Sequence, residues 1–119
     1  MLAMWVTVGA VSGFIGVVAG AFAAHALKSR LTPDLLAVFE TGARYQLVHA
    51  VALLALGVSA QRSRFALPCL LFAVGTILFS GSLYLLSLTG ERFWGLVTPF
   101  GGVAFLAGWL LTAIRSRSA

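Results

Sequence analysis

The chain has 119 residues, 61% of them hydrophobic and 9% charged, with a formal net charge of +5. So little charge cannot cover a soluble domain of this size, and the apolar residues fall in long blocks between short charged segments, as in an integral membrane protein. The basic residues sit at the ends of those blocks, which assigns them to topology and lipid headgroups rather than to nucleic acid.

The first apolar block, residues 4–27, is long enough to cross a bilayer as a helix with some tilt. Its "AFAAHA" contains small-x-small triplets of the kind a signal peptidase cuts. No Lys or Arg precedes the block, however, and the stretch is too long for a signal-peptide core, so a retained helix is expected. Gly9, Gly13, Gly16 and Gly20 fall on one helical stripe. Small residues in such a stripe let another helix approach closely, within a bundle or between copies. His25 points about 150° away from that stripe, on a face with Phe14, Val18 and Phe22.

The next segment opens with Thr32 as N-cap, Pro33 at the first helical position and Asp34 in the first turn. An interfacial helix is expected over 33–43, followed by a second span over 45–60, with Gly42 as the bend between them. Tight links, "QRSR" and "TGER", precede spans three and four at 65–88 and 93–114. Short links imply neighbours of opposite direction, hence an all-α fold with an antiparallel four-helix transmembrane bundle. Cys69, the single cysteine, excludes an internal disulfide and is read as a small apolar residue in a helix. Gly101, Gly102 and Gly108 are read as packing positions on span four.

Lys and Arg divide evenly between the two ends. The end with the N-terminal amine, Arg62, Arg64, Arg115 and Arg117 carries its charges on very short segments, which favours cytoplasmic termini.

Followed through this topology, the rarer polar residues fall toward the other end. His25 closes span one, and Tyr45 lies one turn before His49, flanked by Arg44 and Gln46. Ser80 and Tyr84 lie in span three, with Ser82 and Ser87 nearby. Thr98 and Pro99 form a second cap-like pair. Intramembrane polar residues are costly, so His25, Arg44, Tyr45, Gln46, His49, Ser80, Tyr84 and Thr98 make a candidate binding cluster for an ion, lipid or small solute. Simpler readings stand beside it: His25 at the headgroup boundary, His49 as interhelical hydrogen-bond glue, and serines bonded to their own helix carbonyls. Two histidines also leave open a haem or metal site. No acid lies within a span, and no nucleophile elbow, zinc-protease pattern or phosphate loop is present, so no enzyme activity, cofactor or resident metal is assigned.

"GAFAAHALK", "FETGARYQLVHAVALLALG", "FSGSLYLLSLTG" and "TPFGGVAFLAGWLL", in this order, resemble the domain of unknown function 423 family, to which transmembrane protein 256-like chains are similar. The family pattern matches at His25, Lys28, Phe39, Tyr45, Gln46, His49, Gly81, Tyr84, Thr98, Pro99, Gly101, Gly102, Gly108 and Trp109. The resemblance implies a four-span bacterial inner-membrane protein and supplies no catalytic residue. The role expected is structural or accessory, through helix packing with a second copy or a larger membrane complex.

Overall fold

A computed structural model describes residues 4–117, and these form an all-α protein. The N-terminal amine of the charge argument lies outside the described residues. Helix α1 spans Met4–Ala24, α2 Pro33–Gly57, α3 Ala66–Thr89 and α4 Thr98–Ser116. Short 3-10 turns, Arg62–Phe65 and Arg92–Leu96, lead into α3 and α4. A helix bonds its own backbone, which suits a chain with too little polar surface for water. Among the described residues, Met4–Ala24, Arg62–Thr89 and Arg92–Ser116 are long and apolar enough to cross a membrane. Helix α2 falls short because Asp34, Glu40, Arg44, Gln46 and His49 lower its hydropathy.

The start of α2 is as its residues predict. Thr32 Oγ1 accepts a hydrogen bond from the Leu35 N–H at 3.3 Å, and Pro33 opens the helix. The helix then continues unbroken for 25 residues. The interfacial helix over 33–43 and the span over 45–60 are therefore one element, and Gly42 does not divide them. Gly42 instead lies against α3, where an added Cβ would come within 3.0 Å of Tyr84 Cε1 and 3.3 Å of the Ser80 carbonyl oxygen. Helix α3 ends at Gly90, whose φ of 73° suits glycine and whose N–H caps the Leu86 carbonyl at 2.8 Å. The fourth helix starts later than residue 93, because Arg92–Leu96 is a 3-10 turn. Val97 holds its N-cap position, so the Thr98 hydroxyl is not the cap.

Four helices pack in chain order, α1 on α2, α2 on α3 and α3 on α4. Along the first seam Val6 meets Gly57, Gly9 meets Leu53, and Gly16 meets Leu47. At the far end Ala19, Ala23 and Leu27 bury against Phe39 and Ala43. A second core joins Leu53, Cys69, Phe72 and Phe105 across α2, α3 and α4. The long dimension, 49 Å, exceeds a hydrocarbon core of about 30 Å.

Glycines set the closest approaches. A Cβ on Gly9 would sit 2.9 Å from the Ala50 carbonyl oxygen, and one on Gly16 2.8 Å from Leu47 Cδ2. Gly108 accepts the Phe72 ring, where a Cβ would lie 2.6 Å from Cε1, and Gly101 lies against the Phe79 backbone. Gly13 and Gly102 face ordinary gaps of 3.8 and 3.9 Å, and Gly20 faces nothing within 4 Å. The stripe on α1 is thus a tight contact at Gly9 and Gly16, and Gly20 lies outside it. Gly57 and Gly75 do the same work from positions outside any stripe, against Val6 and Phe105.

At the opposite end from Gly90, Arg64 Nη1 donates to the Arg115 carbonyl at 3.4 Å and Arg115 Nη1 donates to the Arg64 carbonyl at 3.2 Å. This reciprocal pair ties the α2–α3 turn to the end of α4.

Gly9→Leu forces α1 off the α2 backbone and is expected to destabilise by about 1–3 kcal/mol, the usual cost of overpacking. Gly20→Leu has open space and should leave the thermal unfolding midpoint in detergent within a degree or so of the parent. Equal losses in the two variants would show that the seam is not where stability is set.

Candidate functional site

The polar residues expected at one end resolve into three separate hydrogen-bonded groups. Between α3 and α4, Ser82 Oγ and Thr98 Oγ1 share a hydrogen bond at 2.6 Å. With one proton on each hydroxyl, either Thr98 donates to Ser82 and Ser82 to the Phe79 carbonyl at 2.9 Å, or Ser82 donates to Thr98 and Thr98 to the Trp94 carbonyl at 3.3 Å.

The second group joins α1, α2 and α3. Gln46 is buried, and its Nε2 donates to the carbonyl and hydroxyl oxygens of Ser12 at 3.1 and 3.2 Å. Its Oε1 accepts from the Tyr84 hydroxyl at 2.6 Å. The Tyr84 ring rests on Phe39, centroid to centroid 4.8 Å. One turn away, Ser80 Oγ donates to the Gly42 carbonyl at 2.7 Å and so bonds across helices, whereas Ser87 bonds the Tyr84 carbonyl of its own helix. One glutamine therefore joins three helices, with every donor and acceptor matched.

The third group is centred on His49, which is 3% exposed. The Trp109 indole N–H donates to His49 Nε2 at 2.9 Å. Nε2 must then offer a lone pair, so the ring proton is on Nδ1, which donates to the Tyr45 carbonyl at 2.7 Å. A doubly protonated ring would set N–H against N–H, so this arrangement holds the neutral imidazole. Phe105 lies flat on the ring at a centroid distance of 3.6 Å and an interplanar angle of 9°, while Phe72 meets it edge-on at 5.2 Å. Tyr45 packs on Phe79 at 4.8 Å and leaves part of its ring outside. Beside the ring lies a cavity of about 380 Å³ lined by Arg44, Tyr45, Val48, His49 and Trp109.

His25 does not join these groups. It lies exposed in the turn after α1, beyond Ala24. The part of α1 that reaches Gln46 is Ser12 to Gly16, roughly two to three turns away by helical rise. The reason is in the helical phase: Phe14, Val18 and Phe22, on the same face as His25, are all exposed, so the face points away from α2. The two histidines therefore do not share a site.

Trp109, Phe105 and Ser12 were not among the expected site residues. Trp109 carried a signal, because it lies in mid-helix rather than in an interfacial belt and follows Phe105 by one turn. A haem or metal would need a free imidazole nitrogen, and both nitrogens of His49 are engaged. Among the described residues, no three His, Cys, Asp or Glu side chains gather as a ligand set. Arg62 Nε is the sole buried side-chain polar atom without a hydrogen-bond partner among the described residues.

Trp109→Phe deletes the donor and trims the indole to a phenyl ring, and should cost at least about 0.6–2 kcal/mol, the range for a hydrogen bond between membrane helices. His49→Leu should cost a similar amount, and the double variant should cost less than the sum of the two. A double-mutant cycle from unfolding in mixed micelles measures the difference. His25→Ala should leave stability unchanged in the same assay, and a loss equal to that of His49→Leu would place His25 back in the interior.

The protein-family model described as "Protein of unknown function (DUF423)" matches residues 19–102. The UPF0382 inner membrane protein YgdD of Escherichia coli strain K12 is 46% identical over 108 residues, covering 88% of this chain and 82% of that protein. A UPF0382 membrane protein of Haemophilus influenzae is 42% identical over 114 residues, covering 94% and 92% of the two chains. UPF0382 membrane protein SSP2132 of Staphylococcus saprophyticus is 38% identical over 113 residues, covering 93% and 94%. No solved structure matches the chain. With a family model across most of its helical core and relatives that align nearly end to end, the chain belongs to the DUF423 family, whose relatives here are named UPF0382 membrane proteins.

Proposed function

We propose that the chain is a four-span antiparallel helical bundle of the bacterial inner membrane, serving as a small structural or accessory component rather than an enzyme. It acts through helix packing, with copies of itself or with a larger membrane complex. The observation that carries this reading is how the polar interior is used. Gln46, His49, Ser80, Tyr84 and Thr98 bond to other helices of the same chain, so the polar groups serve as joints and none stands waiting for a ligand.

Support for α2 as a span comes from its neighbour. Phe39 to Gly57 lies alongside α1 and the turn after it, from Leu27 back to Val6. Its polar side chains Gln46 and His49 turn inward, the arrangement that lets a less apolar helix cross lipid. Opposed directions are supported by the order of contacts along each seam, Gly9 with Leu53 but Gly16 with Leu47, and Gly75 with Phe105 but Gly108 with Phe72. Cytoplasmic termini are supported by Arg62, Arg64, Arg115 and Arg117 at one end, where no Asp or Glu accompanies them. The outward surface is apolar: Phe14, Ile77, Phe100 and Leu106 are each about 70% exposed.

A second reading, binding of a small solute or lipid part, is favoured by the cavity beside Tyr45, His49 and Trp109. The two readings differ in what His49 does. As a joint, its replacement weakens the fold, whereas as a ligand contact its replacement by Ala removes bound density while the fold survives.

Chemical crosslinking and blue-native electrophoresis in mild detergent should resolve a discrete assembly larger than one chain. A strictly monomeric particle under both conditions would overturn the accessory reading. A C-terminal green fluorescent protein fusion should fluoresce in cells and a C-terminal alkaline phosphatase fusion should be inactive. The reverse pair would place the termini outside.

A further inference from the structure

We propose that two copies of this chain pair through the outward face of α2, with Arg44 of each copy on Glu40 of the other. The inference deepens the packing reading above and rests on it, and on α2 as a span. Glu40, Arg44, Val48, Val51 and Ala55 are exposed and follow one another at helical spacing along that face. Arg44 lies near the middle of α2 and lines the cavity of about 380 Å³ beside Tyr45, Val48, His49 and Trp109. A cation facing lipid from within a span is costly unless an anion meets it. Glu40 stands one turn away on the same face, yet neither side chain makes a hydrogen bond or ion pair among the described residues.

Charge selects the occupant. The face carries a cation and an anion a turn apart. A lipid phosphate drawn to Arg44 would be repelled by Glu40, whereas a second copy supplies the opposite sign to both. Copies inserted in the same orientation are related by a two-fold axis along the membrane normal, so their α2 helices run parallel at one depth and the contact is isologous. A long helical side chain leans toward the N-terminus of its helix, so Arg44 of one copy reaches the level of Glu40 of the other. Opposite charges then meet twice across the axis. Val48, Val51 and Ala55 below them let the two helices come close. Tyr45 and Trp109, partly exposed at the flank, are with Arg the residue types that carry most binding energy at protein interfaces. The outward faces of α1 and α4 present Phe14, Val18, Phe22, Phe100, Leu106 and Leu110 instead, side chains at home in lipid.

Native mass spectrometry of the whole protein in a non-ionic detergent tests the pairing. The parent chain should appear as a dimer. Glu40→Arg alone and Arg44→Glu alone each set like charges across the axis and should weaken the dimer about tenfold. The two variants, co-expressed with tags of different mass, should form the mixed dimer in preference to either pure one, because every facing pair is again opposite. Should either variant fail to insert, oxidative crosslinking in native membranes decides: in a Cys69→Ala chain, Val48→Cys should link two copies and Phe14→Cys should not. Dimers that survive both single reversals undiminished, no preference for the mixed pair, or crosslinking at Phe14 in place of Val48 would each overturn this face while leaving a packing role standing. A strictly monomeric parent would overturn both. A monomer carrying a phospholipid that Arg44→Gln releases would give the groove to lipid and likewise overturn the pairing.

Discussion

Everything in this structure depends on how helices hold together where no water drives them to do so. Lipid tails are as apolar as Leu or Phe, so burying those side chains between helices gains little over leaving them in the bilayer. What remains is close approach and hydrogen bonding. The chain supplies the first with glycine at Gly9, Gly16, Gly101 and Gly108, each against a neighbour that a methyl group would strike. It supplies the second with a few interior bonds, each joining one helix to another. The two kinds of contact overlap but differ in emphasis from seam to seam. Glycine dominates the α1–α2 and α3–α4 seams, and polar bonds tie those pairs to each other through Gln46, Ser80 and His49.

This division explains what could be read from the residues and what could not. Membrane character, the all-α class, the Thr32–Pro33 start and the Gly-rich face of α1 are local properties of composition and phase, and they were legible. The join between 33–43 and 45–60 was not, because charge at Asp34, Glu40 and Arg44 suggested a surface segment and Gly42 a bend. Helix α2 stays continuous because Gly42 is needed for approach to Tyr84 and Ser80, a requirement that only the third dimension reveals.

The polar site was half legible, for a related reason. Counting residues toward one end gathered Gln46, Tyr84 and Thr98 into one cluster, and the structure bonds Gln46 to Tyr84 but Thr98 to Ser82, which the cluster had left out. It failed for His25 because end-to-end order says nothing about which way a side chain faces. The phase that set His25 opposite the glycines already held that answer, since the glycines face α2 and the opposite side of α1 faces out. Trp109 stayed hidden because its partner lies 60 residues away, on a helix that α4 meets through ring contacts and this bond.

The Arg64–Arg115 exchange also has a bearing on how the chain comes into being. Its two halves lie 51 residues apart, and the later one is made only after the whole of α3. Helix α3 and nearly all of α4 must therefore be made before that clasp can close. A chain stopped short of residue 115 would hold α1, α2 and α3 complete with its arginine turn still unfastened.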